Sequence, residues 1–186
     1  MHTSRFLSIL GSLLLISRAA AAQDLAAENL KLMGGTGGTA FTRSCPAGSV
    51  LTGIRAKVGL AIDAIGIKCR PVQVNGSLGG ETDVGSLAGG PGGSATSVSC
   101  AQGSVIAQQF ATGAILTIGY LKLTCFQWSA SARTFGSQTG TSIVFSPAGF
   151  PSIDSDKCSR SSQPARAIRG RAGSLVDAFG LVCNEP

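Results

Sequence analysis

Six cysteines fall into three pairs with nearly equal internal spacing: Cys45 and Cys69, Cys100 and Cys125, Cys158 and Cys183, separated by 24, 25 and 25 residues. Unrelated loops have no reason to keep the same ruler three times. The chain therefore reads as one structural unit used three times, with a period of roughly 55 residues. The units span residues 33–74, 87–128 and 145–186 of a single domain, 33–186, preceded by an arm at 23–32.

Residues 1–22 read as a removable leader. His2 and Arg5 open it, an apolar run covers residues 6–16, and Ala20-Ala21-Ala22 supplies a small-residue cleavage site before Gln23. The run falls short of the roughly 20 apolar residues that a membrane-spanning helix needs, so no membrane insertion is expected. The mature chain is expected to be secreted, extracellular or periplasmic. In an oxidising compartment disulfides are the default use of six cysteines. Six cysteines allow 15 pairings, and the repeat favours one bridge inside each unit. Metal binding is disfavoured, because the chain has no Cys-x-x-Cys pair and its one histidine, His2, leaves with the leader. No cofactor is implied.

Without Arg5 and Arg18, 13 basic residues face 9 acidic ones. That excess serves solubility and does not call for nucleic acid. Charged residues make up 13 % of the chain and glycine 26 of 186 positions, a composition suited to short strands and tight turns. Residues 65–69 and 120–125 alternate apolar and small or polar residues at period two, as half-buried strands do. Asn75-Gly76 is a two-residue turn signal. Residues 26–32 read as a short helix or loosely attached arm, and the Ser/Thr/Gly-rich residues 129–142 as an excursion between units. The expectation is all-β, with about twelve antiparallel strands.

Superposing the units exposes shared chemistry. Unit one begins GGTGG (Gly34, Gly35, Gly37, Gly38) and unit two GGPGG (Gly89, Gly90, then Gly92 and Gly93). Unit three has Pro147 to Pro151 there instead. Farther along, IRAKVGLAIDAIGIKC at 54–69 matches IRGRAGSLVDAFGLVC at 168–183 without a gap. Both contain a Gly-x-x-x-Asp turn, Gly59 to Asp63 and Gly173 to Asp177. Unit two keeps Gly113 but places Thr117 at the acid's offset.

The segment GRAGSLVDAFG at 170–180 resembles the C-terminal signature of the jacalin-related lectins, Gly-Arg-Ser-Gly followed by Asp-Ala-Ile-Gly, and Asp63-Ala64-Ile65-Gly66 repeats it. The resemblance implies a β-prism I fold of three four-stranded Greek-key units with pseudo-threefold symmetry. The cysteine pairs depart from the plant lectins and look more like vitelline membrane outer layer protein I, a disulfide-bearing relative in fold. In the lectins, sugar hydroxyls are held by the turn's carboxylate, by its backbone N–H groups and by a neighbouring glycine loop. Carried over by position, Gly173, Ser174, Leu175 and Asp177 pair with the 34–38 loop, and Gly59 and Asp63 with the 89–93 loop. The acid and the doubled glycines are kept together at two corners and lost together at the third.

Two readings of these turns stay open. One is a non-catalytic lectin-like module that binds glycans weakly and multivalently. The other is a disulfide-stabilised extracellular coat protein, whose aspartates only bond their own backbone. An enzyme is disfavoured because the mature chain lacks histidine, the commonest general base. Arg160, Arg166, Arg169 and Arg171 read as a solvated sheet face before they read as a site for acidic polysaccharide. Tyr120 reads as core, and Trp128 as either core or stacking platform. Asp154-x-Asp156 is too short for a calcium loop. Asn75-Gly76-Ser77 is a glycosylation sequon wherever the secretory host is eukaryotic.

Overall fold

A computed structural model describes residues 26–114, 117–145 and 154–186; the expected leader and the Gly149 region lie outside them. Among the described residues there are thirteen strands and no helix. The strands form three antiparallel sheets, each with two long inner strands joined by a tight hairpin. Sheet one contains β4 (Ser49–Val58), β5 (Ile62–Pro71), β6 (Thr82–Gly89) and β7 (Ser94–Ser99), in the order β6-β5-β4-β7. Sheet two contains β8 (Ser104–Ala114), β9 (Thr117–Ser129), β10 (Thr134–Phe145) and β11 (Asp154–Lys157), in the order β10-β9-β8-β11. Sheet three takes its strands from both ends of the chain. Its inner pair is β12 (Ala165–Ala172) and β13 (Val176–Cys183), flanked by β3 (Thr39–Ser44) on one side. On the other side lie two short pieces, β1 (Glu28–Asn29) and β2 (Met33–Gly34), both paired with β13. This is the β-prism I arrangement.

No sheet buries an apolar face by itself, so the three inner faces converge. Ile54, Ile65 and Ile67 from sheet one meet Ile106, Leu121 and Leu123 from sheet two and Ile168, Phe179 and Leu181 from sheet three, all fully buried. The period-two text at 65–69 and 120–125 therefore marks strands, as expected, and both are inner ones.

All three bridges form inside the sequence repeats: Cys45–Cys69, Cys100–Cys125 and Cys158–Cys183, each with Cα atoms 5.8 Å apart. Each nevertheless joins two sheets. Cys45 follows outer strand β3 of sheet three, whereas Cys69 lies on inner strand β5 of sheet one. Cys100 follows β7 and reaches β9; Cys158 follows β11 and reaches β13. The bridges thus stitch the three sheets in a ring. Closing a loop of that length stabilises a chain by about 3 kcal/mol in the chain-entropy model.

Two segments differ from the sequence reading. The 26–32 segment is neither helix nor loose arm. Glu28 and Asn29 pair with Cys183 and Val182, Met33 and Gly34 with Phe179 and Ala178, and Leu30 and Met33 are buried. Between the two pieces, buried Gln109 of sheet two accepts from Leu181 N–H at 2.7 Å and donates to Lys31 O at 2.7 Å, bonding the backbone at the break. The 129–142 excursion is mostly strand β10, a ladder on β9 with two register shifts. Phe135 anchors its start, with its ring 5.9 Å from that of Phe126. The turn at Asn75-Gly76 is present, with Gly76 at φ 79° and Asn75 Oδ1 accepting from Ser77 N–H. Trp128 is a core residue whose indole donates to Ser161 O, and Tyr120 is half-buried.

On sheet one a half-buried acid has no precedent in the sequence pattern. Glu81 accepts from Thr52 Oγ1 at 2.8 Å and Ser99 Oγ at 2.6 Å, and pairs with Lys68 at 2.8 Å. Burial pushes its pKa up, but the bonds from Lys68, Ser99 and Thr52 outweigh this and hold it below the ordinary 4.5. A folded-state pKa below the unfolded one means that Glu81 stabilises the fold above the ordinary carboxylate range. That contribution disappears as pH falls through the lowered value. Glu81→Gln is expected to cost about 2 kcal/mol at pH 7 in urea unfolding. The loss should shrink towards pH 3; a pH-independent loss refutes the ionic account.

Candidate functional site

The two Gly-x-x-x-Asp turns close the inner hairpins of sheets one and three, and both contain the same irregularity. In β4–β5, Lys57 pairs with Ala64 and Val58 with Ile62, so the ladder skips Asp63. In β12–β13, Arg171 pairs with Ala178 and Ala172 with Val176, so it skips Asp177. Each aspartate is the extra residue of a β-bulge, a device that turns one side chain out of the alternation of its strand. Ile62 and Val176, just before the acids, are fully buried. The third hairpin shows the same skip at a different residue from the one its spacing predicted. Thr112 pairs with Tyr120 and Gly113 with Ile118, which leaves Gly119 as the bulge. Gly119, and not Thr117, is the counterpart of the acids, because this hairpin is one residue longer.

Beside each acid-bearing bulge runs a glycine loop, joined to it as the resemblance paired them. Gly34 stands opposite Ala178 and Gly89 opposite Ala64, at φ 110° and 127°. Gly35 N–H donates to Asp177 O at 2.7 Å, and Gly90 N–H to Asp63 O at 2.9 Å. The loops then fold over the carboxylates. A Cβ at Gly37 or Gly38 would stand 2.9 Å from Asp177 Oδ1 or 2.4 Å from its Oδ2, respectively. At Gly92 and Gly93 the distance to Asp63 Oδ1 and Oδ2 would be 2.5 Å. Four glycines are thus demanded by how near the backbone comes to an acid.

The carboxylates themselves are under-used. Oδ2 of Asp63 and Oδ2 of Asp177 are both shut off from solvent without a hydrogen-bond donor. A buried acceptor left unpaired costs about 1–3 kcal/mol. Were the aspartates there to cap their own turns, backbone N–H groups would occupy these oxygens. The turns instead close on themselves through Gly59 N–H to Ala61 O and Gly173 N–H to Leu175 O, both 2.9 Å.

The turn tips differ. Leu60 is 96 % exposed, an apolar side chain standing free at the edge of the Asp63 turn. Its counterpart Ser174 packs against the other loop, where a Cβ on Gly90 would lie 2.3 Å from Ser174 O. The 89–93 loop of one corner therefore forms a wall of the neighbouring 173–177 turn, and the two corners adjoin. That contact had no sequence signal.

The arginine run is not a solvated face. Arg166 is half-buried and donates to Ser49 O at 2.9 Å and Pro46 O at 3.1 Å, and burial lowers its pKa. Arg169 donates to Leu30 O and Arg160 to Gln163 Oε1. Arg171 donates to Gly37 O and Gly38 O, at 2.7 and 2.6 Å. Backbone carbonyls far along the chain consume Arg166, Arg169 and Arg171, whereas Arg160 stays exposed as the sequence suggested. Asp156 likewise accepts from Lys31 N–H, and among the described residues no cluster of three metal-ligating side chains exists.

Neither a family model nor a curated protein matches the chain by sequence. Solved structures do match in fold. A Malaysian banana lectin superposes with a TM-score of 0.57 at 21 % identity, over 87 % of this chain and 100 % of its own. A mannose-binding jacalin-related lectin from Ananas comosus gives 0.56 at 25 %, over 86 % and 99 %. A mannose-specific jacalin-related lectin from Morus nigra, solved with mannose, gives 0.55 at 16 %, over 90 % and 99 %. The chain has the fold of the jacalin-related lectins.

Gly38 and Gly48 separate two reasons for glycine. Both have positive φ, 61° and 72°, but a Cβ at 48 meets nothing within 4 Å. Gly48→Ala should cost about 1 kcal/mol, the left-handed backbone penalty alone. Gly38→Ala, with Ala172 and Asp177 in the way, should cost at least about 2 kcal/mol in the same urea titration. Equal losses would show that the loop does not press on the carboxylate.

Proposed function

We propose that the protein is a secreted, non-catalytic carbohydrate-binding module with two sites, one at Asp177 with Gly173, Ser174, Leu175 and the 34–38 loop, the other at Asp63 with Gly59 and the 89–93 loop. The observation that carries this reading is the pair of aspartates at equivalent bulges, each with a glycine loop whose bare backbone stands against the carboxylate. A carboxylate accepts two hydroxyl hydrogen bonds, and charge-assisted bonds of this kind are the strong ones. Vicinal sugar hydroxyls fit that demand. The loop backbones, bare of side chains, let a pyranose approach their N–H groups. The Ananas and Morus proteins of the same fold bind mannose, which makes a hexose of that kind the first ligand to try.

Neither turn holds an aromatic ring to stack on a sugar. Each site is therefore expected to be shallow and weak, near millimolar or about −4 kcal/mol. Two sites on one rigid body recover avidity on a multivalent glycan surface. The leader at 1–22 and the three disulfides fit an exported protein.

Binding to mannan-coated sensor surfaces tests the reading. Asp63→Ala and Asp177→Ala should each weaken binding at least about tenfold through lost avidity. The double variant should not bind. Because each removes a buried acceptor with no partner, melting should hold or rise. A double variant that binds as before, or one that loses much of its stability, assigns the aspartates to the fold. Expressed with residues 1–22, the exported chain should begin at Gln23 on N-terminal sequencing; retention in the cell contradicts secretion.

A further inference from the structure

Arg171 and Lys57 occupy the same ladder position, one residue before the bulge in each acid-bearing hairpin, opposite Ala178 and Ala64. Both reach the glycine loop beside them. Arg171 donates from Nε to Gly37 O at 2.7 Å and from Nη2 to Gly38 O at 2.6 Å. Lys57 donates from Nζ to Pro91 O at 3.0 Å. At the third corner the ladder puts Thr112 in this place, opposite Tyr120, and Gly119 in the acid's place. Cation and acid are thus present together at two hairpins and absent together at the third. Among the described residues no ion pair joins Arg171 to Asp177 or Lys57 to Asp63, so the cations do not serve as counter-charges in direct contact with the acids.

We infer that Arg171 is a positioning residue for the Asp177 site, holding the 34–38 loop in its binding form, and that Lys57 is its looser counterpart at Asp63. The inference rests on the carbohydrate reading above. A loop of four glycines and a threonine has much backbone freedom to lose, and ordering it on binding would be subtracted from affinity. A trans peptide carries its C=O and N–H in opposite directions, so fixing Gly37 O and Gly38 O also fixes the N–H groups of Gly38 and Thr39. The guanidinium does this with a planar fork across two successive peptides. The ammonium holds one carbonyl from a flexible stem. The two sites therefore differ in preorganisation, and the Asp177 site is the tighter.

The test uses variants with one acid left and mannose-substituted albumin as the probe, together with amide hydrogen exchange on the ligand-free protein. In the Asp63→Ala background, Arg171→Met should weaken binding by roughly tenfold, and Arg171→Lys should recover part of it. In the Asp177→Ala background, Lys57→Arg should tighten binding by about threefold. Exchange of the 35–39 amides should quicken about tenfold in Arg171→Met, and core amides should not change. Unchanged loop exchange overturns the inference whatever the glycan result. Quicker exchange with unchanged affinity also overturns it, because loop order would then not matter to the ligand. If the wild type does not bind the probe, the carbohydrate reading fails and takes the ligand half of the inference with it; the exchange experiment still decides whether Arg171 braces the loop.

Discussion

Closure of the third sheet by the two ends of the chain is the constraint on which the rest of the structure depends. β3 and β2, from the first described turns of the chain, complete a sheet whose inner strands lie at its other end, with Arg169 opposite Thr42 and Phe179 opposite Met33. Until that pairing forms, Ile168, Phe179 and Leu181 cover only part of the common core, and Asp177 has no glycine loop beside it. Contacts this distant in sequence are entropically costly to make. The structure spends several devices on the join. Cys45–Cys69 and Cys158–Cys183 both anchor sheet three to a neighbour, and Gln109 bonds the backbone at the break in the edge strand. Arg166 and Arg169 tie it further through backbone carbonyls.

Within that frame, one skipped residue per hairpin decides whether a corner holds a carboxylate. A bulge turns a side chain aside from the alternation that would otherwise commit it to the core or to the outer face. Two bulges hold aspartate and the third holds glycine. The aspartates are poor choices for stability, since each leaves Oδ2 dry and unpaired. Local choices that conflict with the fold concentrate where function requires them. Here the conflict repeats at two corners in the same form.

Much of this was legible because it is written in local spacing. The cysteine ruler pointed to three bridges and period two to half-buried strands, and the resemblance to the jacalin-related lectins told which loop meets which turn. What the text concealed is non-local or lacks a period. A two-residue strand such as β1 is too short to show alternation, and Glu28, Asn29 and Lys31 around it look like solvated surface. The first half of β10 is edge strand with exposed Thr134 and Ser137 and only Phe135 apolar, so no alternation marks it there. The bridges cross between sheets because each repeat in the text starts on the outer strand of the preceding sheet. Thr117 was matched by counting from Gly113, and the longer hairpin spoiled the count; counting back from Cys125 arrives at Gly119. The arginines read as solvated because their partners are carbonyls more than a hundred residues away, as with Arg166 and Ser49.

Gly90 shows how the two corners depend on each other. Its own loop does not require a glycine there for a positive φ, unlike Gly89 and Gly93. The requirement comes from Ser174 of the neighbouring turn, whose carbonyl occupies the place of a Cβ. A side chain at 90 would push on the Asp177 turn while belonging to the Asp63 loop. Shallow sites without stacking rings gain from being held at one separation, because a flexible separation dilutes the effective concentration of the second contact. A backbone-to-backbone wall between Gly90 and Ser174 provides such a fixed separation, with no side chain to flex. On the proposed carbohydrate reading, the loss of acid and glycine loop at the third corner confines multivalent binding by one chain to that side of the prism.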